Sequence, residues 1–102
     1  MADVQDLVRQ RDALIDLKNF LQRFMQQLDE TMATYNGKVQ GLRAAGLPVQ
    51  VSNNYEDNYC APITHRVNKL VDDLEHVDLP YVINNIEHME REIQAASQAS
   101  GY

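Results

Sequence analysis

Residues 4–42 read VQDLVRQRDALIDLKNFLQRFMQQLDETMATYNGKVQGL, and the apolar spacing of this stretch decides the fold. Leu7, Leu14, Leu21, Leu28, Tyr35 and Leu42 recur every seven residues. Three residues before each stands a second series, Val4, Arg11, Lys18, Met25, Met32 and Val39, of which four members are apolar. Steps of three and four in alternation are the a/d pattern of a helix packed lengthwise against another helix. Asp3, Asp6 and Asp12 lie near the positive end of such a helix and Lys38 and Arg43 near its negative end, as the macrodipole favours. Gly37 costs about 1 kcal/mol relative to alanine inside a helix, but Val39 and Leu42 keep the register beyond it. Gly46-Leu47-Pro48 is the stronger stop, a glycine past the last apolar position followed by a proline. The spacing predicts a first arm over residues 3–45 with Leu14, Leu21 and Leu28 buried.

Outward from that arm, residues 46–61 read as a connection. Ser52, Asn53, Asn54, Asp57 and Asn58 have side chains that compete with the backbone ladder of a helix. Tyr55 and Tyr59 are expected to pack back on the end of the arms. Pro62 suits the first turn of a second arm over residues 62–97. There Ile63, Val67, Leu70, Leu74 and Val77 are spaced for one face, with Leu70 and Leu74 expected in the core. Pro80 removes a backbone donor and crowds the preceding turn, so the arm is expected to kink or break there, with Asp78 capping a restart. Val82, Ile86, Met89, Ile93 and Ala96 resume the spacing one residue out of phase, and the chain after Ser97 is expected to fray. The expectation is an all-α, single-domain antiparallel hairpin over residues 1–102.

Composition narrows the function. Of 102 residues, 44% are hydrophobic and 24% charged, which suits a folded domain rather than a disordered chain. Nine basic residues against fifteen acidic give a net charge of −6, unfavourable for phosphate backbones and anionic lipid. No stretch approaches the roughly 20 apolar residues a bilayer span needs. Charges at Asp3, Asp6, Arg9, Arg11 and Asp12 interrupt any cleavable signal peptide, so the expected location is the cytoplasm, or outside the cell by a route without one. The first arm carries more apolar surface than a two-stranded seam uses: Val8 and Ile15 fall at e, Leu17 and Phe24 at g, and Phe20 outside both. A face that broad suits a four-helix bundle, reached by pairing with a second copy or with another helical protein. Leu17, Phe20 and Phe24 are the expected interface anchors.

Catalytic and ligand-binding patterns are sparse. The chain has no glycine-rich phosphate loop, Cys-x-x-Cys or His-Glu-x-x-His. Cys60 precedes His65 by five residues without a third orienting group, and a loop thiol without catalytic role is the better account. His65, His76 and Asp72 have fragments of metal-ligand spacing but no complete set. No enzyme activity, cofactor or metal is expected. Asp72, Asp73, Glu75 and Asp78 read as a solvated face.

An acidic helical hairpin of this length resembles the WXG100 or ESAT-6-like family, small hairpins that form homodimeric or heterodimeric four-helix bundles and leave bacteria by type VII secretion. The family's Trp-x-Gly turn corresponds to Tyr35-Asn36-Gly37, with tyrosine for tryptophan. Its Tyr-x-x-x-Asp/Glu export signal corresponds to Tyr81-Val82-Ile83-Asn84-Asn85, with Asn85 in place of the acid. The resemblance implies a non-enzymatic interaction module, partnered by itself or by a larger secreted toxin. The alternative from a different class is an intracellular coiled-coil adaptor or a prefoldin-like chaperone subunit.

Overall fold

The computed structural model describes residues 3–100, with side chains over 3–98, and all but a few of these residues are helical. Helix α1 runs Val4–Ala44 without interruption. After a short turn come α2 (Val49–Tyr55), α3 (Ala61–Asp73) and α4 (Leu79–Ser100), joined end to end by two π-helical turns at Glu56–Cys60 and Leu74–Asp78. The architecture is all-α and hairpin-like, with no strand among the described residues. Among the described residues no helix is long and apolar enough to cross a membrane. The chain packs as two compact units: one joins the part up to Arg23 with the part from Leu74 onward, and the other is Phe24–Asp73.

The expected connection at 46–61 is corrected to four residues. Only Ala45, Gly46, Leu47 and Pro48 are non-helical between α1 and α2. Gly46 adopts φ 106°. The Leu47 N–H then reaches back to the Leu42 carbonyl at 3.0 Å and the Gly46 N–H to the Arg43 carbonyl at 3.1 Å, the paired bonds of a Schellman stop. Pro48 starts the next helix at once, its carbonyl accepting from the Ser52 N–H at 3.0 Å. The Asn- and Ser-rich stretch that reads as loop is therefore helix. Its polar side chains find partners that do not break the backbone ladder: Asn58 Nδ2 donates to Asn54 Oδ1 at 2.6 Å, one turn away.

A substitution isolates the turn's contribution. A Cβ added at Gly46 meets nothing within 4 Å, so Gly46→Ala acts through backbone strain alone. We expect a loss of about 1–2 kcal/mol, read as a lower urea midpoint at unchanged slope; an unchanged midpoint would show that the turn tolerates another conformation.

The heptad of α1 is visible in its burial. Leu7 and Val39 are buried and Val4, Arg11, Leu14, Lys18, Leu21, Met25, Leu28, Met32 and Tyr35 half-buried, so the burial expected for Leu14, Leu21 and Leu28 is only partial, and Leu42, the last of the series, is exposed. The returning chain has a different inward row from the expected one. Cys60, Thr64, Val67, Val71 and Leu74 face inward, while Ile63, Leu70 and Val77 are exposed. Leu70 is thus removed from the expected core. Val82, Ile86, Met89, Ile93 and Ala96 hold the inward positions of α4.

Both prolines after the turn lie inside helix, correcting the start expected at Pro62; of the kink or break expected at Pro80, the break is absent and the helix is instead locally irregular just before the proline. Each π turn ends two residues before a proline. Within the first, the Ala61 N–H donates to the Glu56 carbonyl, five residues back. A π turn carries one more residue than an α turn, and it gives the helix a way past a ring that would crowd the carbonyl four residues earlier. Asp78 sits within the second π turn and caps no new helix. The helix also continues to Ser100, beyond the expected fraying point.

Candidate functional site

Within Phe24–Asp73, α1 and the returning helix are held antiparallel by polar contacts near the turn. Arg43, in the last turn of α1, gives Nε to Ser52 Oγ, one guanidinium nitrogen to Glu56, and a long 3.4 Å contact to Asn53 Oδ1. Ser52 is the most buried side chain described, at 1% exposure, so its hydroxyl needs this partner. Farther from the turn, Tyr35 and Tyr55 hydroxyls hydrogen-bond to one another. Their rings are 6.4 Å apart between centroids, and Tyr55 in turn lies 5.5 Å from Tyr59. The Tyr55 and Tyr59 rings thus meet at a tilt while keeping considerable exposure.

Cys60 is buried, and its thiol donates to the Tyr35 hydroxyl at 3.9 Å. The Tyr35 phenol holds its proton well above the ordinary tyrosine range: the bond with Tyr55 contributes most, then loss of solvent, then Cys60. His65 lines the same shallow depression as Cys60, beside Glu56 and Asp57, but the thiol's bond runs to a phenol, a group with little tendency to accept its proton at neutral pH. His65 and His76 are exposed. No three His, Cys, Asp or Glu side chains gather as a metal set among the described residues.

The expected anchors are unevenly exposed. Leu17 is 41% and Phe20 55% exposed, while Phe24 is half-buried. In the unit containing Leu17 and Phe20, Val77 and Tyr81 are exposed as well, Tyr81 at 71%. In Phe24–Asp73, Ile63 and Leu70 are exposed at the positions just before the inward residues Thr64 and Val71. Phe24 stands just before Met25 in the same way. In an antiparallel pair these flanking positions share one side of the seam, so Phe24, Ile63 and Leu70 form one apolar flank there.

The turn-like and export-like positions are placed as follows. Tyr35, Asn36 and Gly37, the positions that correspond to the family's turn motif, lie inside α1, which continues past Gly37 as the register of Val39 and Leu42 implies, and the chain reverses at 45–48. Tyr81 and Asn85 lie one turn apart in α4, where Asn85 Nδ2 donates to the Tyr81 carbonyl at 2.8 Å. The sequence reading missed Arg43 with Ser52 and Glu56, and the Tyr35–Tyr55–Cys60 set. Both depend on the returning helix starting at Val49. Compared with family models, curated proteins and solved structures, the chain matches none.

Proposed function

We propose that this protein is a non-enzymatic helical interaction module that works by covering its exposed apolar flanks with a partner. The observation that supports it most is the imbalance of burial. Among the described residues, eleven large apolar side chains are exposed, Leu17, Phe20, Leu70, Val77 and Tyr81 among them, against six buried hydrophobic ones. Apolar surface of that kind marks interfaces when it is contiguous, and Phe24, Ile63 and Leu70 fall on one side of the seam within Phe24–Asp73. The partner in this reading is a second copy or another helical protein, giving a four-helix bundle.

The four-residue turn between long helices supports the WXG100-like form of the proposal, with export and a larger secreted toxin as the corresponding pathway and partner. The position of Tyr35-Asn36-Gly37 inside α1 favours the second form, an intracellular coiled-coil adaptor or prefoldin-like subunit. Sedimentation tests what the two share. The chain, alone or with a protein captured from its host, is expected to sediment above monomer mass. Phe20→Glu with Phe24→Glu is expected to dissociate that complex while helical circular dichroism persists, because burying a carboxylate without a partner is costly. A monomer at every concentration that captures no protein would overturn the proposal.

A further inference from the structure

The turn end of Phe24–Asp73 carries a separate apolar cup. Val39 is buried at its base, and Leu42, Leu47, Val51 and Tyr55 surround it. Its volume is about 280 Å³, near the lower bound for ligand pockets. Leu42 and Val51 are each more than half exposed, so a small molecule seated there would stay largely wet. Small-molecule sites instead bury most of their ligand. A chain segment that inserts one apolar side chain and covers the surrounding residues with its own backbone fits this openness better.

Charge selects the kind of segment. Among the described residues, Lys38 is the only charged side chain lining the cup, and no carboxylate lines it. Lys38 is exposed and makes no ion pair among the described residues, whereas Arg43 nearby is engaged by Glu56 and Ser52. An uncommitted cation beside an apolar depression is complementary to a leucine- or phenylalanine-sized side chain with a neighbouring carboxylate.

We infer that the turn-end cup is a docking socket for an acidic partner segment that inserts one apolar anchor between Leu42, Leu47 and Val51 and sets a carboxylate against Lys38. This rests on the reading of the protein as an interaction module, but it uses neither Phe20 nor Phe24.

The test titrates the isotope-labelled full-length protein with three synthetic peptides, followed by methyl and amide resonances. One places a central leucine among glutamates, the second replaces the glutamates by lysines, and the third replaces the leucine by serine. Saturable shifts at Leu42, Leu47 and Val51 are expected with the first, at least threefold weaker affinity with the second, and none with the third. Lys38→Gln should weaken the first peptide at least threefold, and Leu42→Glu should abolish the shifts with the helical spectrum intact. Phe20→Glu with Phe24→Glu should leave this titration unchanged, so loss of bundle formation and loss of the socket are separable results. Equal binding of the lysine peptide, shifts confined to residues outside the cup, or no saturable shift with the leucine–glutamate peptide would each overturn the socket.

Discussion

Leu74→Ala is expected to destabilise the protein by about 2–5 kcal/mol, and Leu70→Ala by less than about 1 kcal/mol. The two leucines are one helical turn apart and look equivalent as sequence, both falling on the stripe of Ile63, Val67, Leu70, Leu74 and Val77. In the structure Leu74 is 7% exposed and Leu70 43%. Truncating Leu74 removes buried methyl groups and leaves a void that neighbours fill only in part. Truncating Leu70 removes surface that water already reaches. Urea midpoints of the two variants, compared at equal slope, measure the difference. Equal losses would place both side chains in the core and require a different rotation of the returning helix.

The contrast shows which parts of the fold are legible as sequence. The phase of α1 is legible because its own residues, from Leu7 to Val39, repeat at the heptad spacing over many turns. Gly46-Leu47-Pro48 is legible as a stop because a glycine with positive φ followed by proline has few other uses. The phase of the returning helix is not, since it is set by where that helix begins. Reading Ser52 to Asn58 as loop puts the start at Pro62, and size alone then selects Ile63, Leu70 and Val77 for the interior. The helix begins at Val49, tied to α1 through Arg43, and the smaller Cys60, Thr64 and Val71 turn inward. The anchors Leu17 and Phe20 were legible as surplus apolar residues outside the seam. The socket was not, because Leu42 reads as a seam residue until the turn is known to follow it directly and leave it exposed. Tyr35, Cys60 and Ser52 likewise acquire partners only once the second helix is in register.

One signal was legible without its cause. The apolar series resumes one residue late after Pro80, at Val82 and Ile86, a delay that the sequence assigns to a kink or break at the proline. The π turn at Leu74–Asp78 explains it without a break, since one inserted residue advances the inward row by one. The same step occurs across Glu56–Cys60, where the inward row passes from Ser52 and Glu56 to Cys60 and Thr64. A heptad seam repeats every 3.5 residues, and each extra residue is absorbed at a turn that a proline already prevents from closing normally.

A pair of single-residue deletions tests this directly. Deleting the exposed Glu75 from the second π turn, together with Pro80→Ala, should let the turn close as an ordinary α turn while Val82 and Ile86 stay inward. That variant is expected to keep a cooperative thermal transition close to the parent's. Deleting the exposed Glu87 from the regular part of α4 should instead rotate everything after it by about 100°. Met89, Ile93 and Ala96 would leave the seam, for a loss of at least about 2 kcal/mol in buried apolar surface. Pro80→Ala alone should retain the π turn: Val82 and Ile86, exposed only 6% and 8%, hold the register more strongly than one recovered hydrogen bond favours closing it. Unfolding of the Glu75 deletion beside normal folding of the Glu87 deletion would show that the inserted residue lies elsewhere, and that the proline and the π turn are unrelated.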